Sequence, residues 1–175
     1  MGCDIHVYIE YKLGDGPWTL DSGHKVEREG DYRRLISVYA SRRDYDFFGR
    51  LAGVRVPSGG KARGIPKDAS ELIKEFAQED VERSDWHSHS WNSLASFKNR
   101  LFLDKDYYKK SNLKTATPIA FDDVEYTQGM GYLNLIAYAE KKVNEFEADL
   151  EAEKMLLGQE INTKVKCRFV YWFDN

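Results

Sequence analysis

Both ends of this chain have the pattern of β-strands, and that constrains the fold more than anything between them. In the opening CDIHVYIEYKL, Ile5, Val7, Ile9 and Tyr11 point to one side while Asp4, His6, Tyr8 and Glu10 point to the other, because successive strand side chains alternate. The closing TKVKCRFVYWFD is dense in β-branched and aromatic residues, which fit a pleated, buried surface. With helical patterns between, the order predicts an α+β domain whose strands 3–12 and 164–174 are neighbours in one small, mostly antiparallel sheet. At 175 residues the chain is read as a single domain, 1–175, long enough to bury a core.

The interior supplies turns and helices. GDGP at 14–17 is turn chemistry, and WTLDSGHKVE after it reads as the return strand of a hairpin. YDFFGRLAGV (45–54) reads as a short helix. SGGKARGIPKD (58–68) is a Gly/Pro loop carrying Lys61 and Arg63. Asp68 or Ser70 is placed to cap the next helix, ASELIKEFAQED. DWHSHSW (85–91) falls in a loop or first turn ahead of the helix WNSLASFKNRLF, with Ser90 as its N-cap. Residues 104–128 form a polar, aromatic-rich connection, and its DKDYYKKSNLKT stretch reads as a solvated loop. The longest helix spans roughly 132–157, with Ile136, Ala139, Val143, Phe146, Leu150 and Leu157 at spacings of three and four. A core-facing helix is the simpler account; a coiled-coil contact making a homo-oligomer is the sharper one.

Composition excludes several classes. A formal net charge of −3, from 26 basic and 29 acidic side chains, gives no overall field for a nucleic-acid polymer, so an anionic partner needs a local cluster of cations. Two cysteines, Cys3 and Cys167, cannot make a disulfide framework and point to a reducing compartment. The first residues lack the greasy core of an export signal, and no apolar run reaches membrane-spanning length. A soluble cytoplasmic protein without a membrane partner is expected.

Chemistry concentrates at three places. Asp4 and His6 share one strand face, about 7 Å apart at strand rise. On a buried face they would need partners or a use; on a solvent face they carry no message, and alternation alone favours the solvent face. Asp85, His87 and His89 supply three groups that zinc or manganese accepts, and His-x-His chelates if both rings converge. With Asp4 and His6 the chain offers a metal set from two segments. The same histidines can instead transfer protons or grip a phosphate without metal, or simply pack beside Trp86 and Trp91. RRDYDFFGR adds Arg42, Arg43 and Arg50 among Asp44 and Asp46, read either as ion pairing at a helix start or as an arginine fork for an anion. Arg63 beside Gly64 is a further anion contact. P-loop, dinucleotide and nucleophile-elbow signatures are absent.

Taken together, MGCDIH, RDYDFF followed by LAGVR, RGIPKDAS, DWHSHSW and the closing FVYWFDN resemble an uncharacterised family of tailed phages and prophages. Its members open with MGCDIH, carry an Arg-Asn-Tyr-like box, an Arg-Gly-Leu-Pro loop and a His-Ser-x-Ser-Trp segment, and end in an aromatic strand closing on Asp-Asn. The resemblance covers both ends and the middle and fades from about 100 to 160. Asp44 stands where the family commonly has Asn, and Ile65 where it has Leu. It implies a phage-encoded protein of the host cytoplasm. Because its boxes are polar, it shifts the reading toward a shared site. The expected site has His87, His89 and Asp85 as catalytic groups. Arg43, Asp44, Arg63, Ser90 and Trp91 hold a small anionic, nucleotide-like ligand, and Asp4, His6, His87 and His89 are the metal set if a divalent ion is used. Two functions follow: hydrolysis of a nucleotide-like or phosphodiester ligand, or sequestration of a nucleotide-like defence signal of the host.

Overall fold

In a computed structural model of the protein, the described residues are 5–30, 32–36, 45–55, 60–81, 86–103 and 132–174. Asp4, Arg43, Asp44 and Asp85, together with Cys3, Arg42 and the 104–128 connection, lie outside them, so the readings made for those residues have no structural counterpart here.

The terminal strands pair as expected. β1 (Ile5–Leu13) runs antiparallel to β6 (Val165–Asp174) over its whole length, from Ile5 opposite Phe173 to Leu13 opposite Val165. Between them the chain forms β2 (Trp18–Leu20), β3 (Lys25–Glu29), β4 (Tyr32–Ile36), α1 (Tyr45–Ala52), α2 (Glu71–Val81), β5 (Trp86–Ser93), α3 (Leu94–Leu103) and α4 (Tyr132–Leu157). The main sheet is antiparallel with order β2-β1-β6-β5, so the last strand is central and β5 is an edge. The return strand after the GDGP turn is only three residues long; the rest of that segment leaves the sheet and makes a separate β3–β4 hairpin. Gly14 shapes the first turn: its φ is +53°, and a Cβ there would lie 2.3 Å from the backbone oxygen of Asn162, so only glycine fits.

Both faces of the sheet are covered. Ile5, Val7, Ile9, Phe169, Tyr171 and Phe173 pack against Phe97 of α3 and Leu135, Ile136 and Ala139 of α4. The opposite face, where a solvated surface was expected, is covered as well. Tyr8, Val170 and Trp172 there pack against Leu35 of β4 and against Ala69, Ile73 and Phe76 in and just before α2. Residues 167–173 are buried throughout, which explains why the stretch 169–173, FVYWF, is apolar without a break instead of alternating. The first half of α4 is core, as its periodicity predicts, while Met155, Leu156 and Leu157 at its far end are exposed.

Covering the second face has a chemical consequence. Glu10 is 0% exposed and Arg168, opposite it on β6, only 3%. The Arg168 Nε donates to Glu10 Oε2 at 2.7 Å, and one terminal nitrogen donates to Asp68 Oδ1 at 2.7 Å. Its guanidinium also lies 3.8 Å from the centre of the Trp18 ring. The second Glu10 oxygen accepts the Ser70 amide ahead of α2 at 2.6 Å. The start of α2 is therefore tied to a buried carboxylate. The expected side-chain cap is not what forms: Asp68 turns to Arg168 and Trp18, and Ser70 Oγ is buried without a partner among the described residues.

Candidate functional site

The DWHSHSW segment is a strand, not a loop before a helix. Residues 86–93 are polar by composition, but β6 offers them a ladder and Trp86 and Trp91 lie against the second core. Ser90 is correspondingly 1% exposed within the strand. It is Ser93 whose Oγ accepts the Ser96 amide, at 3.2 Å, and so caps α3.

The strand carries one extra residue. His87 stands opposite Phe173 and Ser90 opposite Tyr171, three steps on β5 against two on β6. This is a β-bulge, with Ser88 at φ +57°. In a regular strand, residues two apart share a face; the insertion breaks that parity. The His87 ring stacks on Phe173, centroids 6.0 Å apart, on the α3/α4 side. The His89 ring lies 5.4 Å from Trp172, on the α2 side. The two imidazoles of His-x-His therefore do not converge, and no group of three metal-ligating side chains occurs among the described residues. A serine at positive φ is strained where glycine is not. Ser88→Gly is accordingly expected to raise stability by about 0.5–1 kcal/mol in urea denaturation, and a loss of stability would mean that the Ser88 Oγ contact to His87 Nδ1 at 2.9 Å outweighs the strain.

What does gather on the α2 face is a different set. His6 Nε2 lies 3.0 Å from Asp174 Oδ2, a pair left partly open to solvent. The His6 ring stacks on Trp86, centroids 4.6 Å apart and planes 16° from parallel, and lies 6.4 Å from Trp172. His89 flanks the same Trp172. Its Nε2 is buried with no hydrogen-bond partner among the described residues. Burial, and then the nearby His87, hold its pKa below the ordinary imidazole value, so His89 is a neutral base near pH 7.

The loop before α2 closes this edge. The Gly64 amide donates to the His89 carbonyl at 2.8 Å, with Gly64 at φ +77°. The Arg63 amide donates to Ser90 Oγ at 3.3 Å, and its guanidinium lies 5.5 Å from the Trp91 ring centre. Arg63, Ser90 and Trp91 are thus brought together as expected. Tyr171, hydrogen-bonded to Asn92 at 2.7 Å, is pushed up to about 12 by burial and stays a neutral phenol.

Of the expected site, the structure joins His6 and His89 on one face and Arg63, Ser90 and Trp91 along the adjoining edge, and sends His87 to the other side. Sequence reasoning did not foresee the Glu10–Arg168–Asp68 network. Its signal was the arginine of CRFVYWF, which antiparallel pairing of the ends sets opposite a carboxylate. It also missed His24, which is buried in the connection between β2 and β3 and which no local pattern marks. Comparison with protein-family models, curated proteins and solved structures finds no match.

Proposed function

We propose that this chain is a metal-independent acid–base protein that takes a nucleotide-like or other phosphodiester ligand on the face bearing His6, Asp174 and His89, and hydrolyses it. The observation that carries this reading is the His6–Asp174 pair at 3.0 Å. A carboxylate that accepts Nε2–H holds an imidazole in one tautomer and leaves Nδ1 as the basic nitrogen. Such a base takes the proton of a water as its oxygen bonds to phosphorus and the ester bond breaks. Arg63, exposed beside Trp91, supplies the positive charge that a net acidic protein must concentrate for an anion. The separation of His87 from His89 argues for direct proton transfer over a metal-activated water. The resemblance to a phage family supports placing that ligand in a host-cell cytoplasm.

Sequestration without turnover is the second reading. It is favoured by the rings at this edge, where the half-buried His6 stacks on the half-buried Trp86 over a fully buried Trp172 that lies tilted to Trp86 and His89. The open sides of the His6 and Trp86 rings suit a flat base. Turnover of bis(4-nitrophenyl) phosphate and of a panel of cyclic and linear nucleotides separates the two. Hydrolysis unaffected by EDTA is expected, with His6→Gln slowing it by about 100-fold or more at unchanged melting temperature. Inhibition by EDTA would refute metal independence. A nucleotide bound in calorimetry but recovered intact would favour sequestration, and neither binding nor turnover would remove both readings.

A further inference from the structure

A cleft of about 460 Å³ opens at the other end of the sheet, walled by Trp18, Trp91, Leu94, Val143 and Val165. Its volume suits a small organic molecule. Lys12 and His6 stand six residues apart on β1, so this end lies roughly 20 Å from the His6–Asp174 pair at strand rise.

The charges around the cleft are unequal. Arg168, on its lining, is neutralised by Glu10 and Asp68, and Lys98 is paired with Glu140. Lys166 also lines the cleft, is exposed, and has no acidic partner among the described residues. Directly opposite it on β1 stands Lys12, likewise without an acidic partner among the described residues, and Lys12 in turn faces Trp18 on β2. Two like charges in one cross-strand pair are unfavourable, so this ladder position holds positive charge that nothing described in the fold offsets. The indoles beside it are held in place: Trp18 donates to Asp68 at 2.9 Å, and the Arg168 guanidinium lies 3.8 Å from the Trp18 ring centre and 5.8 Å from that of Trp91. Fixed aromatic walls accept a flat apolar body by stacking, and the paired lysines accept an acidic group attached to it.

We infer that this cleft binds a planar aromatic anion, its ring against Trp18 and Trp91 and its acidic group on Lys166 and Lys12. The inference does not rest on the chemistry of the His6–Asp174 pair; what the two sites have in common is Trp91, over whose ring Arg63 lies. Naphthalene-1-acetate is a suitable probe, followed by quenching of tryptophan fluorescence in the full chain, with the neutral naphthalene-1-acetamide alongside. The acid is expected to bind at least about tenfold more tightly than the amide, as one charge-assisted contact implies. Lys12→Gln/Lys166→Gln is expected to remove that preference while its melting temperature stays the same or rises, since the repulsion is relieved. His6→Gln is expected to bind the probe as the wild type does, which keeps the result separate from the hydrolytic reading. Equal binding of acid and amide, no quenching by either, or an acid preference that survives the double lysine variant would overturn the inference.

Discussion

Arg168→Met is expected to lose about 3–5 kcal/mol of stability, the range for removing one partner of a buried ion pair. Glu10 is fully buried, and its carboxylate is served by the Arg168 Nε and the Ser70 amide. With the guanidinium gone it must protonate or remain a charge in a medium that solvates it poorly. Asp68, two-thirds exposed, can turn to water, so Asp68→Asn is expected to cost below about 1 kcal/mol. Because the cost lies in the orphaned carboxylate and not in lost attraction, Glu10→Leu combined with Arg168→Met is expected to regain much of what the single change loses. Equilibrium denaturation in guanidinium chloride reads all three. If Arg168→Met alone costs under about 1 kcal/mol, the network is a surface-like pair and this account of how α2 is tied to the sheet is wrong.

The same network shows where sequence was legible and where it was not. Alternation in 5–11 and the aromatic density of 165–174 placed β1 and β6 correctly, because a strand's pattern is local and the ends of the chain had no competing signal. Once those strands pair antiparallel, Ile5 faces Phe173, and the nearness of His6 to Asp174 follows from register alone. Two things were out of reach. That the His6–Tyr8–Glu10 face is covered depends on where the α2 segment and the β3–β4 hairpin fold back, which no local pattern records. The conformation of 86–93 depends on a ladder offered by a strand some eighty residues away. WHSHSWNS has the polarity of a loop, and its bulge places one extra residue at Ser88 that no spacing rule announces. The result reverses the meaning of His-x-His. In a regular strand it is a same-face pair, and here the two rings contact opposite layers, so they do not converge as chelation by this pair would need.

The stability of the chain is expected to fall steadily as pH drops below 6.5, and His24 is a main cause. Its Nε2 accepts the Ile9 amide at 2.9 Å, continuing the edge of β1 where β2 has ended, and its ring lies 5.3 Å from that of Tyr8. That bond needs an unprotonated nitrogen. Burial, only partly opposed by a hydrogen bond to the Ile36 backbone, lowers the pKa to about 3. In the unfolded chain the imidazole protonates near 6.5. Above 6.5 both states hold it neutral, so it adds no pH dependence. Between 6.5 and about 3 the unfolded state binds a proton that the folded state refuses, and stability declines by up to about 1.4 kcal/mol per pH unit, roughly 4–5 kcal/mol across the window as an upper bound. The depressed pKa of His89 adds in the same direction, and the lowered carboxyl of Asp68, held down by Arg168, adds at the acid end. The His24 share is therefore read by comparison with His24→Gln, whose amide oxygen can accept the Ile9 N–H but cannot titrate. At pH 8 the variant is expected to be less stable than wild type by on the order of 1–2 kcal/mol, from imperfect geometry. Its curve should be flatter, so that the two cross as the pH is lowered toward 4. Parallel curves in urea denaturation across that range would show that His24 is not the group that titrates, and that the acid sensitivity belongs to His89 and the carboxylates.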